Sequence, residues 1–181
     1  MHPGQRDNMQ FFGACIYLNF TNYTMLFREA TTKDIGEIML VRMSVLENVL
    51  NTPGLVTEID CEKFLMQRGK GWVCEIDNKV IGFSIVDLKE HNIWALFIRP
   101  EYEAKGIGKK LHNIMMNWYF DQTKETVWLG TAPNTRAEIF YTKSGWKAVG
   151  IVNKGEVKFE MTFDDWKQKN ANQENKTRLV S

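Results

Sequence analysis

The stretch that most restricts what this chain can fold into is NIWALFIRPEYEAKGIGKKL, Asn92 to Leu111. Its first part is an almost continuous apolar run, the pattern of a strand buried on both faces. Pro100 ends that run, since a proline has no N–H to give to a sheet ladder. Gly106 and Gly108 follow, and then KKLHNIMMNWYFDQT, in which Leu111, Ile114, Met115 and Trp118 fall on one helical face. A buried strand that passes through a glycine turn into an amphipathic helix excludes all-α and all-β chains.

The flanking sequence extends this unit in both directions. MLFREAT, from Met25, alternates as a strand does. In TKDIGEIMLVRMSVLENVL the residues Ile35, Ile38, Met39, Met43, Leu46 and Leu50 recur at helical spacing, with Thr32 as the expected N-cap. NTPG breaks that helix, and Thr57 or Asp60 starts a second one through CEKFLMQ, stopped by Gly69. GWVCEIDNKVIGFSIVDL reads as two strands joined in a hairpin at DNK. After the central helix, TVWLGTAP is a strand and NTRAEIFYTKSG a short helix, with Asn134 as expected cap and Gly145 as stop. WKAVGIV and EVKFEMTF are closing strands. The order is β-α-α-β-β-β-α-β-α-β-β, a mixed α/β domain.

The 181 residues, 44% of them apolar, suffice for one domain with a sizeable core. Residues 25–163 form that domain. Residues 1–24 carry only a weak apolar stretch, without the apolar length or cleavage site of a secretory signal, and read as a flexible extension. Residues 164–181 are charged and rich in Asn and Gln, and read as a fraying tail. The net charge of +1 gives no global field for nucleic acid or an anionic membrane. No apolar run is long enough to span a bilayer. Three scattered cysteines, Cys15, Cys61 and Cys74, point to free thiols and a cytoplasmic setting. The three histidines show no ligand spacing, so no metal is expected.

The glycine turn EAKGIGKK is not a dinucleotide fingerprint, which would place a third glycine at Leu111. Nor is it a P-loop, which would need glycine at Glu103 and Ser or Thr at Lys110. Two readings remain open from the turn alone. One is a plain strand-to-helix connection. The other is a phosphate cradle, in which the amides from Ala104 to Lys109 converge at a helix start, with Lys105, Lys109 and Lys110 adding attraction.

Together with the NTRAEIFYTKSGW stretch, the turn resembles the signature of the GNAT superfamily, the Gcn5-related N-acetyltransferases. That signature is Arg/Gln-x-x-Gly-x-Gly/Ala followed by Asn, Ala, a Phe-Tyr pair, Lys and Gly-aromatic. Here these positions are Glu103, Gly106, Gly108, then Asn134, Ala137, Phe140, Tyr141, Lys143, Gly145 and Trp146. Glu103 departs from the pattern, as a carboxylate where the family has Arg or Gln. The resemblance implies a mixed, mostly antiparallel central sheet flanked by helices, the acyl-CoA N-acyltransferase fold.

It also implies acetyl-CoA as acyl donor and an amine, expected to belong to a small metabolite, as acceptor. The backbone of Leu96, Phe97 and Ile98 would hold the pantetheine arm. Glu103, Ala104, Lys105, Gly106, Ile107, Gly108 and Lys109 would surround the diphosphate, and Asn134 would contact the coenzyme. Tyr141 matches the leaving-group acid. The position of the family's glutamate base is Asn92, which takes no proton; neighbouring His91 is the candidate base, histidine being the commonest side chain in that role, with Glu90 close by and solvent as the alternative. For the acceptor, Glu47 would suit an ammonium and Arg42 a carboxylate. Asn48 lies beside Glu47, and Trp72 and Trp94 would wall the pocket. A protein N-acetyltransferase and a non-catalytic acyl-CoA sensing module are the alternatives. Pairing of two copies through C-terminal edge strands is a habit of the family.

Overall fold

Apolar and alternating segments become strands of one sheet, and the amphipathic segments cover its two faces. A computed structural model describes residues 9–12, 15–20, 23–47, 56–153 and 155–178, with side chains described over 24–47, 56–153 and 155–172. The elements are β1 (Met9–Phe12), β2 (Cys15–Phe20), β3 (Tyr23–Glu29), α1 (Ile35–Ser44), α2 (Glu58–Lys63), β4 (Gly69–Ile76), β5 (Lys79–Asp87) and β6 (Asn92–Ile98). There follow α3 (Ile107–Gln122), β7 (Val127–Thr131), α4 (Arg136–Lys143), β8 (Lys147–Val152), β9 (Glu156–Met161) and α5 (Phe163–Arg178). The strands lie in the order β1-β2-β3-β4-β5-β6-β7-β9-β8. Every neighbouring pair is antiparallel except β6 and β7. Between β4 and β5 Asp77 and Asn78 both take the left-handed conformation, at φ 50° and 61°. That is the two-residue turn whose twist matches a hairpin.

Strand alternation sorts the side chains into two layers. Trp72, Cys74, Ile81 and Ile93 face α3, whose Ile107, Leu111, Met115 and Tyr119 are buried against them. Val73, Phe83, Ile85 and Ala95 face the opposite way, under Ile35, Ile38 and Val41 of α1 and Cys61 of α2. Arg28 on β3 fastens the entry to α1, with ion pairs to Asp34 at 2.7 Å and to Glu75 on β4 at 2.8 Å.

Four local features differ from the sequence reading. Thr31, not Thr32, caps the helical entry, as the first member of a capping box with Asp34. The first helix ends at Ser44, where the hydroxyl donates to the Val41 carbonyl at 2.8 Å and Val45 turns extended. Met43, still within the helix, and Leu46, beyond its end, are both exposed instead of core. Part of residues 1–24 adds β1 and β2 to the sheet edge, Ile16 to Phe20 pairing with Tyr23 to Phe27. The polar tail forms α5, anchored by Trp166, which is buried at 3% exposure and donates its indole N–H to Asn117 at 3.2 Å. Phe163, at the start of the same helix, packs edge-on to Phe120 at 5.7 Å, so two large aromatic side chains dock a helix that is otherwise polar.

Candidate active site

The site begins where the sheet comes apart. β6 and β7 share one register pair, Asn92 with Trp128. The Asn92 amide donates to the Trp128 carbonyl at 3.1 Å, and the Trp128 backbone and indole N–H groups donate to the carbonyls of His91 and Glu90 at 2.9 and 3.0 Å. Beyond this knot β7 continues its ladder with β9, while β6 continues with β5 alone. Leu96, Phe97 and Ile98 therefore present an edge with no strand beside it among the described residues. The apolar run expected to be buried on both faces is buried only at Ile93 and Ala95; its last three residues are half-buried because they wall a cleft of about 540 Å³.

The glycine turn closes one end of that cleft. Ala104 and Gly106 are left-handed, at φ 57° and 81°, and Gly106 is the residue from which α3 starts. The first bond of the helix is Lys110 N–H to the Gly106 carbonyl at 3.0 Å. The amides of Ile107, Gly108 and Lys109 have no acceptor among the described residues, as helix geometry requires of a first turn. They lie at the positive end of a 16-residue helix. A side chain at Gly106 would meet no protein atom within 4 Å, and one at Gly108 would make only an ordinary contact with Ile98. Packing thus demands glycine at neither position, while the left-handed backbone favours it at Gly106. Such a cradle fits a diphosphate.

Tyr141 enters the cleft from α4. Thr135 caps this helix, its hydroxyl accepting from the Glu138 amide at 3.3 Å. Asn134, expected as the cap, sits one position earlier at φ 61° and gives its own amide to the Glu138 carboxylate at 2.6 Å. At the far end Gly145 is left-handed at φ 84°, and the Trp146 amide returns to the Tyr141 carbonyl at 3.1 Å. This folds the Trp146 ring against Tyr141, with centroids 5.5 Å apart. Under the pair lies His112 of α3, whose Nε2 accepts from the Trp146 indole at 2.9 Å. Burial, reinforced by the charge of Lys169 and opposed by a hydrogen bond with Asn113, pushes this imidazole down to about 3. It is a neutral acceptor. Burial raises the Tyr141 phenol well above its ordinary value, so the hydroxyl keeps its proton.

Leu96, Phe97, Ile98, Glu103, Ala104, Gly106, Ile107, Gly108, Lys109 and Tyr141 all line the one cleft. Lys105 and Asn134 do not; the Lys105 ammonium lies 4.9 Å above the Tyr102 ring. The expected acceptor residues scatter. Arg42 and Trp94 line a second cavity of about 160 Å³ with Cys61, Phe83 and Phe97. The Arg42 guanidinium lies 4.3 Å from the Phe97 ring centroid, and Trp94 stacks on Phe64 at 4.3 Å. Glu47 lines the main cleft instead, and Asn48 falls outside the described residues.

Trp72 points to the opposite face of the sheet, edge-on to Trp118 at 5.6 Å, because alternation along β4 turns it toward α3. His91 stands at the knot, about 16 Å along the strand from Leu96 at about 3.3 Å per residue. Its Nδ1 is 2.8 Å from the Tyr119 hydroxyl, which donates to the Glu125 carbonyl at 3.2 Å. His91 and Glu90 are absent from the lining of both cavities. Sequence reasoning overlooked Arg136, which lines the cleft and is bonded to both Glu47 and Glu103. A carboxylate at position 103 was the signal that a cation should stand opposite.

The profile of the Acetyltransferase (GNAT) family matches residues 39–146, more than half of the chain. The chain belongs to this family. Over 92 residues the GNAT chain is 32% identical to an uncharacterized N-acetyltransferase of Archaeoglobus fulgidus, covering 44% of its own length and 62% of the relative's. It thus spans less than two thirds of that protein. Its fold is also that of solved structures. An N-acetyltransferase from Staphylococcus aureus Mu50 aligns with TM-score 0.65 and 17% identity, over 76% of this chain and 98% of the other. PaiA N-acetyltransferase from Thermoplasma acidophilum, crystallised with coenzyme A, aligns with TM-score 0.63 and 16% identity, over 77% and 99%. Among the described residues of this GNAT chain no helix is long and apolar enough to cross a membrane, and no cluster of side chains could hold a metal ion.

Proposed function

We propose that this GNAT protein transfers an acetyl group from acetyl-CoA to a primary amine of a small metabolite, by direct attack within a ternary complex. One observation carries the reading: the edge of β6 and the first amides of α3, both unpaired among the described residues, and Tyr141 all border the same cleft. The crystallised coenzyme A complex of the Thermoplasma neighbour supports the choice of donor.

Each element has a task in that reaction. The amides of Ile107, Gly108 and Lys109 take the diphosphate, and the free edge of Leu96–Ile98 pairs with the amide groups of the pantetheine arm. The coenzyme supplies a thioester, an acetyl carbon open to attack with a thiolate as leaving group. The acceptor nitrogen forms the new C–N bond as the C–S bond breaks. Tyr141, held protonated by burial, gives its proton to the departing sulfur. The acceptor's own proton leaves to solvent, and His91 takes no part. The small cavity beside Phe97 receives the acceptor's side chain, with Arg42 as the charge on its wall. Its volume is that of a few heavy atoms, in keeping with a small metabolite. Cys61 and Cys74 are buried free thiols, consistent with action in the cytoplasm.

The test is a panel of primary amines, including amino acids, incubated with acetyl-CoA while free thiol is read. Amine-dependent thiol release with an N-acetylated product is the expected result. Coenzyme binding without release for any amine would leave a sensing module, and acetylation confined to peptides would move the acceptor to proteins.

A further inference from the structure

Three side chains from three separate segments meet at the mouth of the cleft: Glu47 after α1, Glu103 in the glycine turn, and Arg136 at the start of α4. The two edges of the guanidinium have different partners. Nε donates to Glu47 at 3.1 Å, and the backbone amide of the same arginine donates to the other oxygen of that carboxylate at 2.9 Å. The outer edge, with both terminal nitrogens, faces the two oxygens of Glu103. Two carboxylates against one guanidinium leave the trio at net −1, beside amides whose geometry favours an anion.

We infer that Arg136 is the side chain that grips the donor's diphosphate, and that Glu103 occupies its outer edge only until the donor arrives; this rests on the acetyl-CoA reading above. A diphosphate entering the cradle meets the Glu103 carboxylate, and like charges at that separation repel. The phosphate offers the outer edge of Arg136 the same two-oxygen geometry as the carboxylate, with more charge. The Arg136 side chain is 58% exposed, so its bond to Glu103 is screened and exchangeable. Glu103 sits on an exposed turn and can swing to water.

Glu47 is not displaced, because it holds Nε and the backbone amide, on the side away from the exchange. It is a positioning residue, fixing the guanidinium for the incoming anion. The arrangement supplies from across the cleft a guanidinium where this chain has Glu103 in place of the signature's Arg or Gln. It also makes this chain select donors with a diphosphate over a bare pantetheine thioester.

The experiment is calorimetric titration of the full chain with coenzyme A and, separately, pantetheine, for wild type, Arg136→Gln and Glu103→Gln. Arg136→Gln should weaken coenzyme A binding about 10- to 100-fold, the range of a lost charged hydrogen-bond pair. Its affinity for pantetheine should stay within about twofold, and its coenzyme A affinity should depend less on salt. Glu103→Gln should shift coenzyme A affinity in the opposite direction, tightening it about threefold or more. Equal coenzyme A affinity in Arg136→Gln and wild type, weaker binding by Glu103→Gln, or an equal loss for pantetheine would each overturn the inference while wild type still binds. A wild type that binds no coenzyme A would overturn the acetyl-CoA reading itself.

Discussion

The two ends of the seam between β6 and β7 are a few residues apart and built for opposite purposes. At the closed end the polar groups are consumed. Asn92, Trp128, His91, Glu90, Tyr119 and Glu125 bind one another through backbone and side chain. At the open end, among the described residues, the strand offers a backbone edge with no neighbour, the first α3 amides are unpaired, and Leu96 to Ile98 stay half-buried. A sheet that parts would ordinarily heal, because unpaired strand edges and apolar surface both favour closure. The knot at the closed end and the commitment of β7 to β9 prevent that. A stable wedge of this kind is a place for a ligand whose amides can complete the ladder.

The largest expected effect lies at the open end. Tyr141→Phe should lower kcat by about a hundredfold or more, the usual reach of a positioned acid, with Tm almost unchanged. Steady-state kinetics beside a melting curve checks both halves; turnover within about tenfold of wild type would remove Tyr141 from the chemistry. A smaller effect of the opposite kind belongs to the closed end. Tyr119→Phe removes the hydroxyl that His91 and the Glu125 carbonyl share, and should cost about 1–2 kcal/mol in urea unfolding with kcat retained. A drop in kcat with full stability would place chemistry at the knot and erase the contrast.

Much of this architecture was readable in the sequence, because local chemistry enforces it. Asp77-Asn78 announces a hairpin turn, Gly145 a helix stop and the Gly106/Gly108 pair a turn into α3. The order of elements from Met25 to Met161 follows the pattern of apolar residues. What escaped depends on facing and distance. Trp72 and Trp94 look equivalent as tryptophans on strands, but alternation sends one toward α3 and the other to the second cavity. His91 is adjacent in sequence to the strand that lines the cleft, yet it stands at the wrong end of that strand. Arg136 meets Glu103 across 33 positions and Glu47 across 89, separations no local pattern encodes. Trp166 lies in a stretch whose polar composition masks the buried side chain that helps to dock it.

The central claim is that the open end of the seam, and not the closed end, receives the coenzyme. An amide NMR titration of the labelled protein with coenzyme A tests it most directly. The amides of Ile107, Gly108, Lys109 and Leu96 to Ile98 should shift in a saturable way, while those of Asn92 and Trp128 hold still. Saturable shifts centred on Asn92 and Trp128, or no shifts anywhere at millimolar coenzyme, would contradict the account.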